Sequence, residues 1–417
     1  MIINQAKKFF HYQRRLTAKI WLKLHPQVKV IGITGSYGKT STTKAVEAVL
    51  KKRFRVITTD TNLDTTYNLP ITLLKINHRT QFAVLEYGID KKNEMDQHLD
   101  LAKPCLGIVT GVTPVHSEKN LLGSLEGIIL EKSKLLEAIP PNGRAILNFD
   151  DPYAVKMAPK TKCPIITYGS SQKLDYYFDQ AIVTKKGTSF NAHFKERGKT
   201  ITKKIKLKLI GEHFAQEALA ALATANIFNV NIDTACQALE QLLPLPGRMS
   251  LESGPKNTTL INDYLRANPV STVAGLKTLA AIKHNGRKVA VLGEMGELGK
   301  YQSQEHYRIG KVIAQLKAID YAVVLGPATK KIIQGAVENG FSQKRIFYAS
   351  NHQEAADKLK KLLTPGTLWY LKGSRLKHME RITLALSGVK VACRKISCHN
   401  YYHCSQCKEL TRHEKNS

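Results

Sequence analysis

The chain opens with apolar and basic positions interleaved at helical spacing. Within residues 4–25, aromatic and aliphatic side chains alternate with lysines and arginines, and Pro26 ends the pattern. This spacing predicts an amphipathic helix over these residues. The next run, VKVIGITG, is apolar almost throughout and ends in a glycine turn, which predicts a buried strand.

After that strand, short apolar runs alternate with longer amphipathic ones as far as about residue 160. The short runs are RVITT, QFAVLEYG, CLGIVTGV and RAILNFD, and the longer ones include TSTTKAVEAVLKKRF and SLEGIILEKSKLLEAI. Such an alternation predicts a parallel sheet with crossover helices. Between about residues 164 and 210 the runs become short and are separated by polar turns, which predicts a small antiparallel insertion.

The turn after the first buried strand carries a strong chemical signal. It reads Gly35-Ser36-Tyr37-Gly38-Lys39-Thr40-Ser41, and a helix begins at once. Glycines allow backbone N–H groups to wrap a phosphate, and the helix N-terminus favours negative charge. We therefore expect Gly35, Ser36, Gly38, Lys39, Thr40 and Ser41 to bind ATP. Lys39 would reach the β- and γ-phosphates, and the Thr40 hydroxyl would bind Mg²⁺.

A Pro-rich segment, LLPLPGR around residues 243–248, predicts a hinge between two domains. A second alternation of strands and helices follows and ends near residue 390. The expected fold class is therefore α/β, with a P-loop central domain that carries the small antiparallel insertion and a Rossmann-like C-terminal domain. The expected parts are a basic N-terminal helix (1–27), the central ATP-binding domain (28–245), the C-terminal domain (246–390) and a cysteine-rich tail (391–417).

The charge balance narrows the classes of partner. The chain has 63 Lys and Arg against 33 Asp and Glu, a formal net charge of +30. This excess suits phosphorylated ligands or an anionic membrane face, or it is a solvated surface without a specific role. Nucleic acid is not expected, because the common recognition motifs are missing. Without an apolar run of about 18 residues or a signal peptide, a cytoplasmic location is expected.

The predicted N-terminal helix suits contact with an anionic membrane surface. Its aromatic and aliphatic side chains would enter the interface between basic ones. The alternative is a helix packed on its own domain. The basic positions are Lys7, Lys8, Arg14, Arg15, Lys19 and Lys23.

Four of the seven cysteines crowd the last 25 residues. They are spaced C-x4-C-x5-C-x2-C, at Cys393, Cys398, Cys404 and Cys407. In a reducing compartment, thiolates this close usually bind a metal, and four sulfur ligands satisfy tetrahedral Zn²⁺. We therefore expect a structural zinc site, the alternative being a terminus with idle thiols.

Several motifs, taken in chain order, resemble the Mur ligase family and in particular its D-alanyl-D-alanine-adding branch. The phosphate loop has the shortened family form T-G-S-x-G-K-T-[ST], and TDTNLDTTYNLPITLL, with Asn62 and Pro70, is similar to an asparagine-rich segment of that branch. AVLEYGID, PGRM, INDYLRANPVS, LGEMGELG and LWYLKGSR also resemble family segments. The resemblance spans roughly residues 28–390.

The resemblance implies further site residues. Glu86 and His116 match the family's Mg²⁺-binding glutamate and histidine, and Lys132 stands where the family carries a carbamylated lysine. A carbamate would turn this ammonium into an oxygen ligand suited to Mg²⁺. With Lys39, these three residues form the implied catalytic group. The positions implied to contact the nucleotide are Asn148, Arg248 and Asp263.

The implied activity is ATP-dependent amide bond formation through an acyl phosphate. The substrates would be small molecules, namely the carboxylate of a muramyl peptide and the amine of D-alanyl-D-alanine, and the pathway would be peptidoglycan synthesis. ATP is expected in the cleft between the two α/β domains, since ligands of such sheets bind beyond the strands' carboxyl ends. A monomer is expected.

Two alternatives stay open. Full-length relatives bind the uridine-diphosphate end of the substrate with a separate N-terminal domain. Here the strand before the phosphate loop begins near residue 28, so no such domain is expected ahead of it. A different amino-acid ligase, similar to the folylpolyglutamate synthetases, is therefore the first alternative. The second is a non-catalytic ATP-binding scaffold, which would explain departures from the family pattern at Lys134, Phe214, Glu217, Leu265 and Arg266.

Overall fold

The computed structural model describes residues 2–60, 65–196, 199–400 and 403–411, without the side chains of residues 2–8 and 196. Asn62 and the side chains of Lys7 and Lys8 therefore lie outside the described residues. The chain divides into two compact units. Unit 1 comprises Met1–Ile182, Thr188–Leu207 and His213–Leu242, and unit 2 comprises Val183–Gly187, Lys208–Glu212 and Leu243–Ser417.

In the described part of the chain, the first nine strands form one sheet, and α-helices lie between most of them in the sequence. The strands are β1 (Lys29–Thr34), β2 (Val56–Thr58), β3 (Phe82–Glu86), β4 (Leu106–Val109), β5 (Arg144–Asn148), β6 (Ile165–Gly169), β7 (Tyr176–Thr184), β8 (Gly187–Glu196) and β9 (Lys199–Leu207). The helices are α1 (Ile2–Lys23), α2 (Lys39–Leu50), α3 (Thr65–Leu73), α4 (Glu94–Leu101), α5 (Leu125–Glu137), α6 (Pro152–Met157), α7 (His213–Ile227) and α8 (Ile232–Glu240).

The order of the strands is β2-β3-β1-β4-β5-β6-β7-β8-β9. The predicted parallel sheet is confirmed for β1 to β6, and β1 is buried along nearly its whole length between β3 and β4. The predicted antiparallel insertion is only partly right. β8 and β9 do pair antiparallel, but β6 and β7 pair parallel and extend the main sheet. The sequence predicted hairpins here because the segments are short and lie between polar turns. In the structure, α6 lies between β5 and β6 in the sequence and provides the crossover that lets β6 lie parallel to β5.

The second sheet and its helices confirm the second α/β region. The strands are β10 (Ser250–Gly254), β11 (Thr258–Asp263), β12 (Lys288–Gly293), β13 (Tyr321–Leu325), β14 (Ile346–Ala349) and β15 (Leu368–Lys372), in the order β10-β11-β15-β12-β13-β14. β10 pairs antiparallel and the other pairs are parallel. The helices are α9 (Pro269–Ala281), α10 (Gln302–Leu316), α11 (Lys330–Glu338), α12 (His352–Leu362) and α13 (Glu380–Leu386).

The start of α9 explains the Ala-Asn-Pro string of the sequence. The Asn268 side chain accepts a hydrogen bond from the Ser271 backbone, and the Ser271 hydroxyl accepts one from the backbone of Asn268, which together make a capping box. Pro269 occupies the first helical position, where its missing N–H costs nothing. None of the helices in the described part of the chain combines the length and apolarity that crossing a membrane requires.

Candidate active site

The carboxyl ends of four neighbouring parallel strands bring the predicted site of unit 1 together. Ile33 of β1 pairs with Glu86 of β3, and Thr34 of β1 pairs with Val109 of β4. In β5, Leu147 pairs with the same Val109. The loops that follow these strands therefore leave the sheet at one edge, which is where doubly wound sheets bind ligands.

The phosphate loop has the backbone that its glycines predict. Gly35 has a φ of 152°, and a Cβ there would lie 2.0 Å from Thr110 Oγ1. Gly38 has a φ of 70° and caps α2 in a left-handed conformation. Ser36 N–H donates to Gly111 O at 2.8 Å, and Ser41 lies in the first turn of α2. Side chains at either glycine would be strained, so the loop depends on both glycines.

Three side chains meet beside this loop. Lys39 Nζ donates to Gly35 O at 2.8 Å and lies 4.0 Å from Glu86 Oε1. The Thr40 hydroxyl, which is buried, donates to Glu86 Oε2 at 3.0 Å. The arrangement places a cation and two hard oxygen donors at the start of α2, which is the chemistry that a Mg²⁺–phosphate group needs.

Lys132 reaches the same loop from α5. Its Nζ donates to Gly35 O at 3.1 Å, so this carbonyl accepts from both Lys39 and Lys132. Lys132 is only 2 % exposed. Burial and the charge of Lys39 lower the pKa of Lys132 to about 7, against smaller opposing effects of Asp90 and Glu86. With a pKa of about 7, roughly half of the Lys132 side chains are neutral at pH 7. A neutral amine can react with CO2, which an ordinary ammonium cannot.

His116 lies on the loop after β4 and faces the loop after β3. Its Nδ1 donates to Ile89 O at 2.9 Å, and its Nε2 lies 3.3 Å from Asp90 Oδ1. With Nδ1 carrying the proton, the Nε2 lone pair and the Asp90 carboxylate would both face a cation. The sequence reasoning missed Asp90. It stands four residues after Glu86 in the same motif, which is the only signal that could have found it.

Tyr37 and Asp151 form a second contact that the sequence did not reveal. The Tyr37 hydroxyl donates to Asp151 Oδ2 at 2.9 Å, and Val112 N–H donates to the same oxygen at 3.1 Å. Burial and the Asp151 charge raise the pKa of Tyr37, so the phenol keeps its proton. Asp151 also caps α6. One carboxylate thus fixes the phosphate loop to the loop after β4.

Asn148 ends β5 beside this contact. It is 1 % exposed, its amide donates to Thr110 O at 2.9 Å, and it lies 3.5 Å from Gln216 Oε1 on α7. Gln216 in turn donates to Asp150 Oδ2 at 2.7 Å. Asn148 therefore joins β4, β5 and α7 beneath the site.

Of the two predicted nucleotide contacts of unit 2, Asp263 belongs to a buried ion pair and Arg248 lies near it. Lys372 Nζ lies 2.5 Å from Asp263 Oδ2, to which the Tyr370 hydroxyl also donates at 3.1 Å. Burial lowers the pKa of Lys372, the charge and hydrogen bond of Asp263 oppose this shift, and the positive charge of Arg248 adds to it. Asp263, Lys372 and Arg248 are thus near one another in unit 2, with one carboxylate oxygen of Asp263 already engaged.

The four tail cysteines line one small cavity. Among the described residues, however, the compact group of possible metal ligands is His378, Glu380 and Cys404, whose ligand atoms lie within 4.8 Å of one another. The structure therefore gathers the cysteines around a cavity without bringing their sulfur atoms to the spacing of bound ligands.

Two of the departures from the family pattern, Lys134 and Glu217, make identifiable local contacts. Lys134 forms ion pairs with Asp96 at 2.5 Å and Glu131 at 2.8 Å on the surface of α5. Glu217 reaches the phosphate loop from α7, since a Cβ at Gly38 would lie 3.4 Å from its Oε1. Both substitutions leave the Lys39, Glu86 and Lys132 cluster intact.

Comparison with known proteins defines the class. The family model of the Mur ligase middle domain matches residues 33–225, and that of the Mur ligase glutamate ligase domain matches residues 247–375. The chain is 30 % identical over 354 residues to the UDP-N-acetylmuramoyl-tripeptide–D-alanyl-D-alanine ligase of Bacillus subtilis, covering 85 % of this chain and 75 % of that protein. A crystal structure of MurF from Acinetobacter baumannii superposes with a TM-score of 0.81 at 26 % identity, covering 91 % of this chain and 80 % of that one.

The P-loop fold and its site therefore define an ATP-dependent ligase. The chain belongs to the Mur ligase family. A more distant structure, folylpolyglutamate synthase of Mycobacterium tuberculosis with ADP and AMPPCP, has a TM-score of 0.65 at 18 % identity, covers 89 % of this chain and 93 % of that one, and supports the fold alone.

Proposed function

We propose that this ligase joins D-alanyl-D-alanine to the carboxylate of a muramyl tripeptide in peptidoglycan synthesis. The observation that carries the proposal is the cluster of Lys39, Thr40, Glu86 and Lys132 beside the turn at Gly35. It is supported by the Bacillus subtilis relative, which is named for these substrates and of which the chain covers 75 %. ATP would phosphorylate the tripeptide carboxylate, and the dipeptide amine would then displace phosphate from the acyl phosphate. A carboxylate is a poor acyl donor, whereas phosphate is a good leaving group.

The phosphate loop does the first part of the work. Backbone N–H groups of the Gly35–Gly38 turn and the start of α2 would hold the phosphates, and Lys39 would neutralise charge that moves during phosphoryl transfer. Ser36 lies in this loop and Ser41 in the first turn of α2. The contact of Tyr37 with Asp151 keeps the loop in place, so the site is preorganised before substrate binds.

The donor set fits Mg²⁺ on one condition. The Thr40 hydroxyl, the Glu86 carboxylate and the His116 Nε2 beside Asp90 are suitable ligands, but an ammonium at Lys132 would repel a cation. A carbamate on Lys132 removes this conflict, and the low pKa of Lys132 favours its formation. When bound, Mg²⁺ would neutralise phosphate charge. In unit 2, Arg248 and Asp263 are proposed to contact the nucleotide.

The test measures phosphate release by the purified chain with ATP. UDP-muramyl-tripeptide plus D-alanyl-D-alanine should release phosphate and give the amide product by mass spectrometry, and either substrate alone should not. Release with folate and glutamate instead would favour the folylpolyglutamate-synthetase-like alternative. ATP binding without turnover by either pair would favour the non-catalytic scaffold.

We also propose that α1 holds the enzyme against an anionic membrane face on the cytoplasmic side. One face of α1 packs on unit 1, where Ala18 is fully buried and Trp21 Nε1 donates to Ile76 O at 2.9 Å. The other face leaves apolar side chains between 43 and 66 % exposed beside basic residues, which is the pattern of an interfacial helix. These apolar side chains are Phe9, Phe10, Tyr12, Leu16 and Ile20.

Co-sedimentation with vesicles tests the membrane proposal. The wild type should bind vesicles rich in phosphatidylserine more strongly than neutral ones, and Phe9→Ser with Phe10→Ser should lose most of that binding. Ile182→Ser is the matched control, since Ile182 is 62 % exposed on β7, away from the helix. Equal binding by all three proteins would contradict the proposal.

A further inference from the structure

The tail of unit 2 folds back on itself and onto the segment around α13. Ala392 N–H donates to Leu410 O at 2.8 Å, which joins two distant parts of the tail, and Leu410 is buried. Cys398 N–H donates to Leu376 O at 2.8 Å, in the short 3-10 turn Arg375–Lys377. The described residues of the tail are therefore held by backbone hydrogen bonds both to one another and to the segment before α13.

Within the tail, Cys404 and Cys407 form a compact turn. Cys407 N–H donates to Cys404 O at 3.0 Å across the 3-10 turn Cys404–Gln406. A C-x2-C pair on such a turn presents both sulfurs to the same side, as structural zinc sites require. Cys393 and Cys398, from the other part of the tail, line the same cavity. That cavity measures about 10 Å³, which is room for one water-sized sphere.

A buried arginine gives an independent sign of what belongs there. Arg381 of α13 is fully buried and lines the cavity. Its Nη1 donates to Lys395 O at 2.6 Å and to Cys393 Sγ at 3.5 Å. Its Nε and Nη2 have no hydrogen-bond partner among the described residues. A buried guanidinium is unfavourable without a negative partner. Glu409 lines the same cavity but is paired with Lys395 at 2.8 Å. Glu380 is paired with His378, so a further negative centre would complete the surroundings of Arg381.

His378 and Glu380 hold the two parts of the tail in place. His378 Nδ1 donates to Glu380 Oε1 at 2.8 Å, and His378 Nε2 lies 3.2 Å from Cys398 O. Cys404 N–H donates to Glu380 Oε1 at 3.3 Å. Since both ring nitrogens of His378 are already engaged, His378 serves better as a support than as a ligand.

We propose that Cys393, Cys398, Cys404 and Cys407 bind one thiophilic divalent cation, Zn²⁺ in the cell, in this cavity. Binding replaces four thiol protons by the metal and releases the protons to solvent. Four thiolates and one Zn²⁺ carry a net charge of −2, and this charge supplies the partner that Arg381 needs. The sulfurs move closer on binding, from their positions around the cavity to a tetrahedral shell.

The site has a structural role in unit 2. Four sulfur ligands leave no open position for a substrate. The loop they close is bonded to Leu376, three residues beyond the Gly373 that follows β15, and the ring of His403 lies 6.3 Å from that of Tyr264. Zinc would thus fix the segment that follows Lys372 and Asp263.

The experiment measures metal in the full-length chain, purified under reducing conditions. We expect about one zinc per chain, and Co²⁺ exchanged for it should give the intense sulfur-to-metal absorption of a thiolate site. Cys404→Ser with Cys407→Ser should lose the metal, and so should Cys393→Ser with Cys398→Ser. Cys105→Ser, a half-buried cysteine of unit 1, is the matched control and should keep it. Arg381→Met should weaken Zn²⁺ binding about 10- to 100-fold, as loss of a supporting residue does.

Two results would overturn the proposal. Wild-type protein that is metal-free, stays so with added Zn²⁺ and shows four reactive tail thiols would show that the cysteines are idle. Zinc that survives Cys393→Ser with Cys398→Ser but is lost in Glu380→Gln would place the metal on His378, Glu380 and Cys404 instead. Because the readouts are metal content and absorption, they are independent of whether the muramyl substrate is correct.

Discussion

Replacing Lys132 by methionine should stabilise unit 1 while it inactivates the enzyme. Burial lowers the pKa of Lys132 from 10.5 to about 7, and each factor of ten corresponds to about 1.4 kcal/mol. Keeping this lysine charged in the folded chain therefore costs roughly 5 kcal/mol at low pH. Methionine has a similar length and no charge, and it loses one hydrogen bond to Gly35 O, worth about 1 kcal/mol. The variant should be more stable by roughly 4 kcal/mol near pH 6.

The sign of the pH dependence distinguishes this explanation from better packing. Between about pH 7 and pH 10.5 the unfolded chain holds a proton that folded Lys132 has released. The unfolding free energy of the wild type therefore rises with pH across this window, relative to that of the variant. The advantage of Lys132→Met should shrink steadily over the same range and vanish near its upper end.

Urea unfolding in CO2-free, Mg²⁺-free buffer measures the effect. The chain has two tryptophans, Trp21 in unit 1 and Trp369 in unit 2, so a Trp369→Phe background lets fluorescence follow unit 1 alone. A stability difference that stays constant with pH would refute the electrostatic reasoning. So would a variant that is less stable than the wild type near pH 6.

Three further outcomes follow from the same site. Lys132→Ala should lose most ligase activity, and an added short carboxylic acid should restore part of it by replacing the carbamate. Full activity of the variant without the added acid would mean that no carbamate is needed. Lys39→Ala should abolish ATP turnover with an unchanged circular dichroism spectrum. Lys44→Ala, on the same helix, is the control and should keep ATP turnover. Equal loss of turnover in both variants would contradict the phosphate role of Lys39. Gly111→Ala should destabilise unit 1 by roughly 2–4 kcal/mol in thermal unfolding, since its φ is 139° and its Cβ would lie 2.0 Å from the Tyr37 hydroxyl; an unchanged melting temperature would disprove this contact.

The phosphate loop was predictable because its determinants are local. A buried strand, two glycines, Lys39 and the helix that follows all lie within residues 29–50. The parallel pairing of β6 with β7 was not predictable in this way, because short runs between polar turns are equally compatible with hairpins. The same limit hid the contact of Tyr37 with Asp151, which are 114 residues apart. Neither the sequence around Tyr37 nor that around Asp151 indicates that these two side chains meet.

Lys132 was partly predictable, unlike the long-range contacts and less fully than the phosphate loop. In α5 the buried positions include Ile128, Leu135 and Leu136, and helical spacing puts Lys132 on the same apolar face. Burying the charged ammonium group of a lysine is unfavourable, and residues that break such rules concentrate at functional sites. The unfavourable placement was therefore visible in the sequence, whereas the full enclosure of the Lys132 side chain and the nearby charge of Lys39, which lies on another helix, were not.

The sharing of Gly35 O by Lys39 and Lys132 explains why the two lysines have different tasks. Two ammonium groups donating to one carbonyl repel each other, and only one of them can keep its proton at little cost. Lys39 is partly exposed at the start of α2, where solvent and Glu86 stabilise its charge, whereas Lys132 is enclosed. The neutral amine therefore forms at Lys132. Repulsion between the two ammonium groups thus favours the neutral Lys132 amine, which is the form that reacts with CO2. The carbamate formed there would be an anion beside Lys39, and the attraction between these opposite charges would stabilise it.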